Sequence, residues 1–578
     1  MKRNWTAVPR TPFHSHPRGY SLWFLFVILL IAVECVSAQT PIRIVVDAAT
    51  TIGEYKPIWN NFGADEPNYT YAPNGTKLLN ELSAISPSVP VYFRPHNLLT
   101  TGDGSGSLKW GSTNAYTETP EGKPVYDWTI TDRLFDNLQA THIRPLVEIG
   151  FMPEALSPNP EPYRHTFPKG SLMTGSSYPP KDYVKWRALI VAYATHLRER
   201  YGEATVNTWK WEVWNEPDIS YFHGTIEEYE KLYDITTGAI RQAIPKSIVG
   251  GPAVTGGGDN KHFLQLFLEH CAHGVNADRN VVAPGVNAIS NEPGVPLDFI
   301  SYHPKGGPKF VDGHVKMSLG RQLSLTDHGM RTIASFPEYR KTPIILTETD
   351  PEGCAACKGP QNGYRNGPLY GVSVAEMLAR SAELGRLRGV NLDGAVTWAF
   401  EFEGQPWFAG FRDLATNGID KPVLNVFRMF GKLSGSLISL TSSGAVPVKD
   451  ILQNSVTNAP DVDGIATRNG NSVDIILWNY HDEDVPAPEA KVELSIANLP
   501  AQTIRLTRYL MDSEHSNAYA VWLKMGSPQK PTGQQIAAMQ KTSGLEAVET
   551  QTLQQGDGPL MITTALPRQA VSLYHLEW

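Results

Sequence analysis

The feature that most constrains this chain is a repeated alternation of short apolar runs with longer amphipathic stretches. Runs rich in β-branched and aromatic residues lie at 57–63, 91–96, 144–151, 209–215, 248–254, 298–303, 343–349 and 394–402. Between and after them, apolar residues recur at three- and four-residue spacing over 76–85, 128–140, 181–201, 225–243, 261–273, 319–340, 371–388 and 423–433. A period of two giving way to a period near 3.6 marks a strand followed by a helix. Eight such pairs predict an α/β fold, a (β/α)8 TIM barrel spanning 55–434. A doubly wound open sheet would also hold many such units. No Gly-x-Gly-x-x-Gly follows a strand to support dinucleotide binding.

The pattern changes on either side of this region. Beyond 435 the runs at 473–480, 491–496, 503–510 and 570–574 alternate like strands, with one short helical stretch near 534–540. This predicts an accessory C-terminal β-sandwich over 435–578. A further alternating run, PIRIVVDA (41–48), precedes the barrel, and residues 39–54 are expected to join that sandwich. The first 38 residues read as a secretory signal: Lys2, Arg3, Arg10 and Arg18 precede an apolar run over 22–33, and Val36-Ser37-Ala38 offers a small-residue cleavage site. The apolar run falls short of the roughly 20 residues of a membrane span. A secreted or periplasmic protein is expected, with an uncleaved anchor as the alternative.

Composition removes some functions. The net charge of −8 leaves no basic footprint for nucleic acid. Past the signal only Cys271, Cys354 and Cys357 remain. Cys354-Ala-Ala-Cys357 is open to reading as a local disulfide, a redox pair, half of a metal site or two idle thiols. No second Cys-x-x-Cys and no His-x-x-x-His completes a zinc site, so no metal is expected.

In a barrel of this kind, polar residues at the carboxyl ends of strands carry function. Trp209–Pro217 is a run of large apolar residues that ends in Asn215-Glu216 and a proline that stops it. Arg94 and His96 end the second strand, Glu148 lies inside the third, His303 ends the sixth, Glu348 the seventh, and Glu401 and Glu403 the eighth. Glu216 and Glu348, on the fourth and seventh strands, face each other across the mouth. Two such carboxylates suit glycoside hydrolysis, one attacking the anomeric carbon while the other protonates the leaving oxygen. The nucleophile must stay ionised, a task for donors such as Arg94, and the acid must hold its proton. Asn215 is placed to bond the sugar's 2-hydroxyl. A salt-bridge network on the rim is the competing structural reading.

At these residues the chain resembles glycoside hydrolase family 39, from about residue 58 to the end. The resemblance runs through RPLVEIGFMPEAL (144–156), PKDYVKW (180–186), WKWEVWNEPD (209–218), VGGPA (249–253), DFISYH (298–303), ILTET (345–349), GIDKPVLNVF (418–427) and MDSEHSNAYAVWLKMGSPQKPT (511–532). It implies retaining exo-hydrolysis without cofactor, with Glu216 as acid/base and Glu348 as nucleophile. It also implies that Asn215 contacts the 2-hydroxyl, that Arg94, His96 and His303 line the pocket, and that Trp398 and Phe400 form its aromatic floor. The expected partner is an oligosaccharide or polysaccharide, with β-xylosidase, the commonest family activity, as the default.

The departures fall on the sugar pocket. Thr347-Glu348-Thr349 stands where the family often has Thr-Glu-Trp, and Tyr302-His303-Pro304-Lys305 where it often has Thr-His-Ala-Tyr. Of an adjacent glutamate pair on the eighth strand, only Glu403 aligns. A uronosyl-specific enzyme would need a basic site, which Lys305 and Lys309 could supply, although two solvated loop lysines are the plainer expectation. Arabinosyl, glucosyl and galactosyl residues would suit the same mechanism, and a catalytically silent carbohydrate-binding protein would share the same fold.

Overall fold

Eight short parallel strands, each next to its successor in the chain, close into a barrel: Asn61–Ala64, Tyr92–Pro95, Arg144–Ile149, Lys210–Val213, Ile248–Thr255, Phe299–His303, Pro343–Leu346 and Asn391–Thr397. The eighth closes on the first through Val396 opposite Asn61 and Thr397 opposite Phe62. This computed structural model describes residues 40–159, 175–258, 260–280 and 294–578. The signal segment expected over 1–38 lies outside them. Among the described residues, no helix is long and apolar enough to cross a membrane.

The strands are buried on both faces, which is why they read as nearly continuous apolar runs. Helices pack outside them, among them Thr129–Ala140, Tyr183–Tyr201, Ile226–Ala243, Leu319–Ala334 and Pro368–Arg388. Their starts are set locally: Asp182 caps Tyr183–Tyr201, and Thr225 with Glu228 forms a capping box on Ile226–Ala243. Two strand ends differ from the sequence reading. At the first strand, residues 57–60 form a turn closed by Asn60 N–H to the Pro57 carbonyl, so pairing begins only at Asn61. At the eighth, regular pairing stops at Thr397, and Trp398 to Glu403 leave the sheet towards the barrel mouth.

The accessory β domain is one continuous nine-stranded sheet that curls around its own apolar core. In sheet order its strands are Glu546–Gln554, Thr503–Met511, Ala570–Glu577, Ser472–Tyr480, Asp461–Asn469, Ser436–Ser442, Ile42–Glu54, Ala490–Ala497 and Leu560–Leu566. The N-terminal strand is interior, antiparallel to Ser436–Ser442 and parallel to Ala490–Ala497. The domain is fused to the barrel's packing. Ile476, Trp478, Tyr480, Met511, Val571 and Leu573 belong to the barrel's apolar core. Arg380 of the last long barrel helix reaches Asp461 at 2.7 Å and Asp463 at 2.9 Å. Trp478 and Trp522 are both buried, as core rather than platform.

Candidate active site

The fourth strand ends at Val213, and the backbone then turns through two left-handed residues, Trp214 (φ 70°) and Glu216 (φ 47°). Positive φ costs a bulky residue on the order of 1–3 kcal/mol and persists only where the surroundings hold it. Here Trp214 N–H donates to the Ile149 carbonyl, Trp214 Nε1 to the Tyr221 carbonyl, and Glu216 N–H to the Ala253 carbonyl, each at 3.0 Å. The turn presents Glu216 to His303, the last residue of the sixth strand. His303 Nδ1 lies 2.9 Å from Glu216 Oε1, and its Nε2 lies 3.1 Å from Thr347 Oγ1. Glu348 follows Thr347. One ligand atom from each of Glu216, His303 and Glu348 lies within 4.8 Å of the other two.

Glu348 is set among cations. Its Oε2 pairs with Lys305 Nζ, and its Oε1 lies 3.4 Å from Arg94 Nη1, 3.6 Å from His96 Nε2 and 3.8 Å from His303 Nδ1. Burial acts to raise this carboxyl, but Lys305, His303, His96 and Arg94 together outweigh it and hold the group well below the usual carboxylate range. Lys305 corrects the sequence expectation of a solvated lysine. Its side chain is 16% exposed, and its ammonium also reaches Asp350 at 2.8 Å. Lys309 lies exposed in a hairpin further along.

Beneath the pair lies a fully buried charged layer. Arg94 pairs through Nε with Glu212 and through Nη2 with Glu148 at 2.9 Å, and the same Nη2 donates to Asn215 Oδ1 at 3.1 Å. That bond fixes the Asn215 amide, leaving its NH₂ to serve a ligand. His96 lies between Asp65 (3.0 Å) and Glu148 (2.7 Å). Burial opposes a charge on the ring, but Glu148 and Asp65 prevail over burial and Arg94 and push it up to about 9, an imidazolium at neutral pH. Its Nε2 also lies 2.8 Å from Arg94 Nη1.

The aromatic floor divides. Trp398 lies beneath the site, its ring 4.3 Å from the His96 ring and 5.0 Å from the Arg94 guanidinium carbon. Gly63 makes room for it, since a Cβ there would fall 2.3 Å from the indole and 2.9 Å from the Arg94 carbonyl. Phe400 instead packs edge-on against Phe93 in the barrel wall, at 5.0 Å. Glu403 makes its contact elsewhere, accepting the Asn74 N–H at 3.2 Å. Glu212, Asp65, Lys109, Thr347 and Asp350 complete the site without having been assigned to it from sequence. Glu148 was legible as a charge inside a strand, and Glu212 carries the same signal.

The loop after Glu348 carries the Cys354–Cys357 disulfide, whose two residues turn their carbonyls to Arg365. Arg365 and Arg412 both pair with Glu352, and Arg412 lies 3.4 Å from Asp350. As a cation site the Glu216–His303–Glu348 trio is a poor fit, because Lys305 and Arg94 already direct fixed positive charge at Glu348.

A strand-four Asn-Glu pair, a strand-seven glutamate and a histidine between them therefore converge on one point. The sequence profile of glycosyl hydrolases family 39 matches residues 44–557, most of the chain. The chain belongs to glycosyl hydrolases family 39. This family 39 protein is 28% identical over 502 residues to a β-xylosidase of Geobacillus stearothermophilus, covering 84% of this chain and 86% of that one. It is 24% identical over 554 residues to the α-L-iduronidase of Mus musculus, covering 89% and 77%. In fold it is similar to a monomeric β-xylosidase from Caulobacter crescentus CB15, with TM-score 0.71 and 22% identity over 93% of this chain and 99% of that one. It is a glycoside hydrolase acting on a sugar substrate.

Proposed function

We propose that this enzyme removes a terminal glycosyl residue, xylosyl in the first instance, with net retention of anomeric configuration. Glu348 attacks the anomeric carbon while Glu216 protonates the departing oxygen. Glu216 then takes a proton from the water that releases the sugar from Glu348. The observation that carries this reading is the spacing of the two carboxylates. One oxygen of Glu216 lies within 4.8 Å of one of Glu348, which supports the roughly 5–5.5 Å spacing of retaining pairs over the roughly 6.5–9.5 Å of inverting ones. The electrostatics agree, because the cations around Glu348 keep it anionic for attack. Asn215, oriented by Arg94, donates to the 2-hydroxyl, a bond that tightens in the transition state.

Support for xylose comes from the β-xylosidase relative and its coverage of both chains. One observation favours a second sugar class. The Lys305 ammonium stands beside Glu348, where it would meet the carboxylate of a uronosyl ring, and an α-L-iduronidase is also among the relatives. Lys305 is already shared by Glu348 and Asp350, which makes support of the nucleophile its first task. A panel of 4-nitrophenyl glycosides separates the readings. The xyloside is expected to give the highest kcat/KM; a uronoside exceeding it tenfold would transfer the assignment to the second class. The signal-like N-terminus and the disulfide beside the site support secretion or a periplasmic location.

A further inference from the structure

Two chains of charge lead away from Glu348. One runs through His96 to Asp65 and on to Lys109; the other runs through Lys305 to Asp350 and on to Arg412. Nearly every carboxylate along them is engaged. Asp65 holds His96 with one oxygen and Lys109 with the other. Asp350 accepts from Lys305 and the Trp398 N–H, and Glu352 from Tyr364 and Arg412. On the eighth strand, Glu401 accepts the Gly418 N–H through Oε1 while its Oε2 lies buried without a partner, and Glu403 accepts the Asn74 N–H.

Glu66 stands apart from the carboxylates of these two chains. It follows Asp65 at the carboxyl end of the first barrel strand and is 3% exposed. It forms no ion pair with any described cation, and its Oε1 has no hydrogen-bond partner. Burial, and then the Asp65 charge, push its carboxyl well above the usual range, while Lys109 and Arg412 pull the other way. It thus feels the far ends of both chains, and Trp398 touches each chain, its ring against His96 and its carbonyl taking the Arg412 Nε–H. A buried polar oxygen left without a partner costs about 1–3 kcal/mol, so its retention beside a binding site calls for a ligand group that satisfies it.

We propose that Glu66 is a substrate-recognition residue, its carboxyl hydrogen-bonding a hydroxyl of the terminal sugar remote from the anomeric carbon. The arrangement suits that task. A ring whose anomeric carbon meets Glu348 and whose 2-hydroxyl meets Asn215 extends its 3- and 4-hydroxyls away from the catalytic pair. A carboxyl both accepts and, when protonated, donates, so it satisfies a hydroxyl in either sense. This inference rests on the exo-glycosidase reading above.

The test uses the full-length protein, Glu66→Ala and Glu66→Gln, with 4-nitrophenyl β-D-xyloside and its 3-deoxy and 4-deoxy analogues. Wild-type turnover of the parent xyloside tests the exo-glycosidase reading by itself. If that fails, the same parent and deoxy set is made from the sugar that the glycoside panel selects. For Glu66, the wild type is expected to prefer the parent over one deoxy analogue by at least tenfold in kcat/KM. Glu66→Ala should lose that preference while handling the deoxy analogue within about threefold of wild type. Equal losses on parent and deoxy substrates, or an unchanged preference, would overturn the proposal. Thermal unfolding is recorded for both variants, and Glu66→Gln carries the comparison if the alanine variant does not fold.

Discussion

Glu348 is kept charged in a place where burial alone would neutralise it, and the cations responsible can be removed singly. Lys305 is the largest of them. In Lys305→Met the carboxyl loses its main opposing charge, so its pKa rises. A nucleophile must be ionised, and the acid limb of kcat/KM should therefore move to higher pH, by about one unit or more. A pH profile in which kcat falls but the acid limb stays in place would assign Lys305 to substrate contact instead. The same sign holds for stability. Because the folded carboxyl lies below its unfolded value of about 4.3, its contribution is present above that pH and is lost as the pH falls further. Glu348→Ala should lower turnover on the order of 10⁴-fold or more, with azide restoring part of it as a glycosyl azide of inverted configuration. Failure of azide rescue in a folded Glu348→Ala protein would count against its role.

At the scale of elements, the site depends on how strand ends are finished. Gly63 lies on the first strand directly under the Trp398 indole, and Gly63→Ala would force a Cβ to within 2.3 Å of it. Overpacking of this kind costs typically 1–3 kcal/mol. Displacing Trp398 should also disturb His96, so kcat/KM is expected to fall at least tenfold along with the Tm. A variant with wild-type Tm and activity would show that the indole is not fixed there. By contrast, Cys354–Cys357 closes a very short loop, for which chain entropy gives about 2 kcal/mol at most. The double serine variant should lose no more than that in denaturant unfolding.

These elements also show what was legible in the sequence. The alternation of periods gives parallel β/α architecture because each period reflects which faces are buried, and burial is written residue by residue. Glu216, Asn215, His303 and Glu348 were legible because they break apolar runs at strand ends. Lys305 was not, since a lysine among prolines and glycines reads as solvated until the fold brings Asp350 and Glu348 against it. Glu66 and Lys109 were hidden for the same reason: they come from different strands' loops, and their proximity is a property of closure. Phe400 follows Trp398 by two residues, yet it packs on Phe93 instead of the floor, because both lie beyond Thr397, where strand alternation no longer sets which way a side chain points.

For the whole molecule, the first described strand is not an appendage. Ile42–Glu54 sits inside the nine-stranded sheet, with a neighbour on each side. Removing it would expose two strand edges and part of the apolar core that the sheet encloses. A protein starting at residue 56 is expected to aggregate or to be cut rapidly by protease within 435–578, whereas one starting at residue 40 should be monodisperse and resistant. Because Trp478, Met511 and Leu573 also fill the barrel's own core, the isolated barrel should fail with it.

The central claim is that Glu216 and Glu348 act as a retaining pair, and the covalent intermediate tests it most directly. Incubation with a 2-deoxy-2-fluoro-glycosyl fluoride of the preferred sugar, followed by peptide mass spectrometry, is predicted to place one fluoroglycosyl group on Glu348. Turnover without any adduct, together with a first-formed product of inverted configuration by proton NMR, would contradict the account.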